Sequence, residues 1–419
     1  MYMQRRSVLR ASISLAASAA FTTGFAMVKN NVRTLGKKFD YLQDPELRTR
    51  EAGDAPLEIR GVVLSGTVFD GLLWRNLKFI DCDFVGAYEI KADMESVAFE
   101  DCRFAGIFNF GKLTNVDFQR CLAKANTVVV GGTGSNGVRF SDCIFIGTET
   151  DPNRWGGMGS YGETEFTRCK MKWTNVVSET RHTIVDCEFI DVDCSVSKDG
   201  GGSEVLIERS KLFGKFDMRP ATLVSLTVRD TVLEYLDLRD ATVKGDVTME
   251  RIKGGYINAY VKQAGGLRIR NSQVLGNGRK IFEAYAGGIQ SIEIDTVVFG
   301  GDLSSEPVTI AGGFSLKSAD RISNVSQSID IRNSTIPTLD ASYLHTQRLV
   351  LKNNQIMRAN MSNSRVADLE ISDTRITGKL DFHGTQAAQQ KVDLSAGSTF
   401  GRVDQMDGSN IRLQPRSAR

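Results

Sequence analysis

Charge of one sign is what this chain most lacks: 52 basic residues stand against 50 acidic ones, a net charge of +2, and no tail concentrates either sign. That balance speaks against a surface that binds nucleic acid by charge, and equally against an acidic rod that imitates nucleic acid. Proline is scarce, 7 residues against 40 glycines, which suits many turns between short strands. Histidine is scarcer. His182, His345 and His383 lie far apart, with no His-x-x-His spacing and no Ser-His-Asp grouping, so a histidine-built metal centre or hydrolytic triad has nothing to form from. No long amphipathic helical pattern stands out beyond the N-terminus, which excludes a helical bundle.

What is present is a period of five. Leu64, Phe69, Trp74, Phe79 and Phe84 recur at that spacing, and the same count returns as Leu351, Ile356, Met361, Val366, Ile371 and Ile376. A helix asks for spacings of three and four and a plain strand for alternation, so the pattern points to a coil built of pentads. A six-residue motif (apolar, any, Asp/Asn/Arg, small, any, apolar) marks successive turns: FIDCDF at 79, FEDCRF at 99, FSDCIF at 140, IVDCEF at 184, IRNSTI at 331, LKNNQI at 351 and ISDTRI at 371. Its commonest step of roughly 20 residues is four pentads, and one such turn buries its inward side chains only against neighbouring turns.

These motifs resemble the pentapeptide-repeat family, whose consensus is Ala-(Asp/Asn)-Leu-any-any. The resemblance covers residues 59–400 and is clearest at 64–84, 226–243 and 349–376. It implies an all-β, right-handed parallel β-helix of quadrilateral cross-section, with a three-sheet parallel β-helix as the alternative. With strands ~4.8 Å apart, about sixteen coils are expected. Family members that act on DNA topoisomerases mimic DNA with a markedly acidic rod, which the near-neutral charge argues against here.

The opening, MYMQRRSVLRASISLAASAAFTTGFAMV, resembles a twin-arginine export signal, with Arg5 and Arg6 ahead of an Ala/Ser-rich run; an uncleaved membrane anchor is the alternative. The expected organisation is a signal or anchor at 1–28, a linker and N-terminal cap at 29–58, one β-helix domain at 59–400, and a C-terminal cap and tail at 401–419. Gly-rich polar tracts beginning at 126, 146, 195, 275 and 300 read as insertions, either walling a groove or simply tolerated on the surface, and Trp155, Tyr161 and Tyr285 on them would serve as stacking platforms for a polysaccharide-degrading enzyme.

Six of the seven cysteines, Cys82, Cys102, Cys121, Cys143, Cys169 and Cys187, share one motif position. They are expected to form one interior column of small packed side chains, not a zinc site, since ligands about 20 residues apart along a line do not converge on a point. Half a coil later a second pattern places Asp193, Asp217, Asp237, Asn258, Glu283, Asp340, Asn360 and Asp381 beside Arg219, Arg239, Tyr260, Tyr285 and His383. Alternation turns these outward, and carboxylates, guanidinium groups and tyrosines on a flat face suit a sugar. The same Asp/Asn also stands at the family's consensus position, where it belongs to the coil whether or not a ligand exists. The ligand-binding candidates are therefore Asp217, Arg219, Asp237, Arg239, Asn258, Tyr260, Glu283 and Tyr285. Arg139, Arg168, Lys170, Lys172, Arg209 and Lys211 form a basic flank. The expected function is an exported, non-enzymatic scaffold that binds a polysaccharide or a protein partner. A polysaccharide lyase or glycoside hydrolase and a host-directed effector are the alternatives. No cofactor, no metal, no nucleic acid and no membrane contact beyond an N-terminal anchor are implied.

Overall fold

The computed structural model describes residues 51–415 apart from Ala52 and the segments 66–72, 89–91, 125–126, 150–156, 197–201, 278–279, 301–306, 312–324, 395–397, 399–402 and 405–407. The signal-like opening, most of the expected linker, Phe69, Trp155 and part of the 195 tract lie outside the described residues.

Each strand pairs in parallel with the strand one coil on. Phe79 is in register with Phe99, Phe99 with Phe118, Phe118 with Phe140 and Phe140 with Phe166, and the same ladder returns as Ile331 with Leu351 and Leu351 with Ile371. The result is an all-β parallel solenoid of about 13 turns. The expected sixteen took the commonest step of about 20 residues as the unit, whereas several coils run longer: Ser272 is in register with Val297, and the Val297 N–H donates to Ser334 Oγ 37 residues on.

The period-five residues point inward. Leu351, Ile356, Met361, Val366, Ile371 and Ile376 are buried, and so are Leu349, Asn354, Ala359 and Ser364, each two residues earlier. Two inward positions in five leave the chain bending once per pentad. In the N-terminal half the column is aromatic. The rings of Phe79, Phe99, Phe118, Phe140 and Phe166 stack at centroid separations of 5.3, 4.8, 4.6 and 5.0 Å, nearly parallel. Burying one such side chain stabilises by about 1.5–3 kcal/mol, and ring pairing adds roughly 0.5–1.5 kcal/mol.

The seven cysteines are all buried and unpaired with one another as disulfides. Their column does more than fill space. At the corner, the thiol of each following coil donates to the carbonyl of the residue three before the previous cysteine: Cys102 to Phe79, Cys121 to Phe99, Cys143 to Phe118 and Cys169 to Phe140, at 3.2–3.5 Å. Later coils put stronger donors there, with Asn354 bonding Ile331 at 2.8 Å and Thr374 bonding Leu351 at 3.1 Å. The small residue of the motif is thus a donor as well as a filler. Cys194 stands in a different column, between Val176 and Phe216.

The residue before each of these takes a left-handed backbone, with φ near +50° at Asp101, Arg120, Asp142, Arg168, Asp186, Arg209, Asp230 and Arg251. Asp and Arg alternate, and each arginine reaches back to the aspartate of the previous coil: Arg120 to Asp101 at 2.8 Å, Arg168 to Asp142 at 2.7 Å, Arg209 to Asp186 at 2.8 Å and Arg251 to Asp230 at 2.6 Å. All four pairs are two-pronged. Arg139 likewise pairs with Asp117. The three arginines of the expected basic flank are therefore neutralised within the rod.

Two of the Gly-rich tracts are strand over most of their described residues, with 150–156 outside them. Val128–Ser141 and Gly157–Thr167 are long strands paired with each other. The glycines are there because backbone approaches backbone: a Cβ on Gly162 would lie 2.0 Å from the Ser135 carbonyl oxygen. Part of the 300 tract, Pro307–Ala311, is also a strand.

Candidate functional site

The outward Asp/Asn row forms as a register column. Asp217 is paired with Asp237, Asp237 with Asn258, Asn258 with Glu283, then Thr309, Asp340, Asn360, Asp381 and Asp404. Asp193 does not belong to it. It pairs with Asn175, while Ser195 occupies the position aligned with Asp217, because Ile190 is in register with Phe213 but Cys194 with Phe216, so the earlier coil carries one extra residue between Ile190 and Cys194, as Lys211–Asp217 does relative to the coil after it.

The row is outward in sequence but not free in space. In six coils the side-chain oxygen accepts the main-chain N–H two residues on: Asp217 from Arg219 at 3.1 Å, Asp237 from Arg239 at 3.2 Å, Asn258 from Tyr260 at 3.2 Å, Asp340 from Ser342 at 3.2 Å, Asn360 from Ser362 at 3.1 Å and Asp381 from His383 at 2.9 Å. This is the Asx turn, in which a short carboxylate or amide replaces a backbone acceptor where the chain changes direction. It explains why Asp and Asn recur there, and why Asp237 is fully buried and Asn258 nearly so instead of facing solvent. Glu283 departs from the pattern. Its longer side chain accepts from the Tyr256 hydroxyl and from Lys280 Nζ at 2.7 Å.

Around these turns lies a patch spanning four coils. Asp237 accepts from Tyr235 Oη at 2.9 Å and from Arg239 Nη2 at 2.7 Å, and Arg219 Nε, from the coil before, lies 3.1 Å away. Arg219 also holds Asp217, with Nη2 to Oδ2 at 2.6 Å, and Lys215 pairs with the same carboxylate. Tyr235 and Tyr256 stack at 5.2 Å, and Tyr260 and Tyr285 at 5.7 Å, both nearly parallel because their backbones are one ladder step apart. All eight candidates thus lie together. Lys215, Tyr235, Tyr256 and Lys280 complete the patch and were not singled out from the sequence. Their signal was present: Lys215, Tyr235 and Tyr256 each stand two residues before the Asp/Asn row.

The charge states follow from these contacts. Burial pushes the Asp217 carboxyl up, but hydrogen bonds from Arg219 and Lys215 outweigh it and hold it well below the usual carboxylate range. Asp237 is lowered in the same way, burial being overcome by Arg239 and Tyr235. The hydrogen bonds to the carboxylates raise Arg219 and Arg239. Tyr235 is pushed up to about 12 by burial and by Asp237. Asp217, Asp237, Arg219, Arg239 and Tyr235 are thus all moved away from neutrality, and none is poised to exchange a proton there. What is presented to solvent includes the ring of Tyr260, 37% exposed, beside that of Tyr285, with the outer edges of two arginines and the ammonium groups of Lys215 and Lys280. Among the described residues no cluster of His, Cys, Asp and Glu is arranged to hold a metal ion.

No family model, no curated protein and no solved structure matches the chain.

Proposed function

We propose that the chain is an exported, non-enzymatic scaffold of the pentapeptide-repeat kind that binds a polysaccharide through the tyrosine and arginine face of residues 215–285. One observation carries the reading. The two carboxylates that a glycoside hydrolase would need, one as acid and one as base, are both held ionised by internal donors. The arginines that a lyase would use as a base are held charged by the same bonds. A face so saturated recognises by shape and stacking, and the paired rings of Tyr260 and Tyr285 suit the flat side of a sugar. The two inward positions per pentad between 349 and 376 support the pentapeptide-repeat assignment, and Arg5 and Arg6 ahead of the Ala/Ser-rich run support export.

The test is a glycan panel incubated with the purified protein, following retention and new reducing or unsaturated ends together. Retention without new ends, weakened by Tyr260→Ala and Tyr285→Ala, is expected. New ends overturn the reading in favour of a catalytic groove, and no retention on any glycan turns the face toward a protein partner.

A further inference from the structure

The Asp/Arg alternation at the left-handed corner stops after Arg251. The next two coils place Asn271 and Thr296 there. Thr296 is β-branched and held at φ +57°, a backbone region such residues rarely enter. At this interruption the surface dips into a shallow groove of about 700 Å³ that crosses four coils. That volume falls within the roughly 300–1,000 Å³ usual for small-ligand sites. One wall is the corner column. The other is the register row Val232, Lys253, Gln273 and Val298 on the adjoining strands. This groove shares none of the residues of the Tyr260 face.

The groove is lined by uncommitted chemistry. The Lys253 ammonium and the side-chain amides of Asn271 and Gln273 make no hydrogen bond or ion pair to any described residue. The neighbouring carboxylate of Asp230 is neutralised by Arg251, so among the described residues the one lining charge without an ionic partner is positive. Val298, 44% exposed, gives an apolar surface at one end, and Val232 stands at the other. The lining backbone is already consumed: the N–H groups of Arg251, Lys253 and Gln273 donate to the carbonyls of Arg270, Thr231 and Ile252. A peptide strand, which docks by main-chain pairing, finds no free edge here, and recognition falls to side chains alone. Side-chain amides both donate and accept, as a sugar hydroxyl does, and the ammonium adds a preference for a carboxylate.

From this we infer that the groove is a second binding site, specific for an anionic saccharide such as a uronate oligomer lying along the rod axis. Its walls span three coil spacings, ~14 Å. The uronate carboxylate meets Lys253, ring hydroxyls meet Asn271 and Gln273, and the apolar ring faces meet the two valines.

Titration calorimetry of the full chain with tri-galacturonate, and with maltotriose as the neutral probe, tests this. Tri-galacturonate is expected to bind, maltotriose at least tenfold more weakly, and both Lys253→Ala and Gln273→Ala are expected to cost tenfold or more. Lys211→Ala, in the same outward row two coils away, should leave binding unchanged, as should Tyr260→Ala. All four side chains lie on the surface, and thermal unfolding at the parental temperature verifies each variant's fold. No binding of tri-galacturonate, equal binding of maltotriose, insensitivity to Lys253→Ala, or an equal loss in Lys211→Ala each overturns the assignment. Loss in Tyr260→Ala with Lys253→Ala unaffected overturns it too, while leaving the Tyr260 face as the sugar site.

Discussion

The carboxylate of Asp237 accepts the main-chain N–H of Arg239 at 3.2 Å and that same residue's guanidinium at 2.7 Å. One aspartate thereby shapes the turn and fastens the side chain that leaves it. Asp237→Asn keeps the turn acceptor and is expected to cost about 1 kcal/mol. Asp237→Ala removes the acceptor for a main-chain donor, a tyrosine and an arginine together and is expected to cost about 1–3 kcal/mol. Thermal unfolding of the two variants decides it, and equal stability of Ala and Asn would remove the turn from the account.

His182 sits wholly inside the rod, in register with Thr164 and Val205, its ring 6.0 Å from that of Phe166 and 6.2 Å from that of Phe216. Neither ring nitrogen has a hydrogen-bond partner among the described residues. Burial lowers its pKa from 6.5 to about 4. Between those values the unfolded chain binds a proton that the folded chain refuses, so the contribution is fully present above pH 6.5 and is lost as pH falls toward 4. Going from pH 7 to 4.5 is expected to cost about 2–3 kcal/mol. In His182→Leu that slope should flatten, and an unchanged slope in melts across the interval would rule out His182 as its source. Asp217 and Asp237 act in the same direction only at lower pH, where carboxyls of the unfolded chain take up protons that these depressed ones refuse.

Thr296 occupies a corner that other coils give to Asp, Asn or Arg. Asn enters the left-handed region with little penalty, whereas a β-branched residue does not. Thr296→Asn is expected to stabilise by about 1 kcal/mol. A lower melting temperature would instead mean that the Thr296 hydroxyl, 3.0 Å from Asp295, holds the corner.

The cysteine column is expected to tolerate Cys121→Thr, since Thr231 and Thr374 fill the same position, and to lose about 1 kcal/mol in Cys121→Val, which leaves the Phe99 carbonyl without its donor. Burial also pushes the thiols of Cys121, Cys143, Cys169 and Cys187 well up. These cysteines should resist a thiol reagent in the native protein and react once it is unfolded in guanidinium. Native-state labelling of Cys143 would contradict the closed interior.

The solenoid was legible because its signal is a period, and a period survives substitution: Leu64, Trp74 and Phe84 at one end and Leu351, Ile356 and Met361 at the other are buried as their spacing requires. The Asp/Asn row was legible for the same reason. What its residues do was not, because an outward position in an alternating pattern gives no warning that Asp237 folds back on its own turn. Asp193 misled because the register shifts twice, once between Ile190 and Cys194 and once between Leu212 and Lys215, and nothing local marks either. The glycines near 131 and 162 misled because one residue type serves both loose turns and tight backbone contact. Tyr235 and Lys215 were overlooked because their part in the patch depends on partners in the turn that follows each of them.

The alternation of Asp and Arg along the corner gives the rod a parity. From Asp101 to Arg251 each aspartate is answered by the arginine of the next coil, so the charge-balanced unit is two coils. Removing the single coil that carries Asp142 would bring Arg120 against Arg168, like against like, whereas removing two successive coils would restore the pairing unchanged. In this stretch the rod can therefore lengthen or shorten without internal repulsion only in even steps.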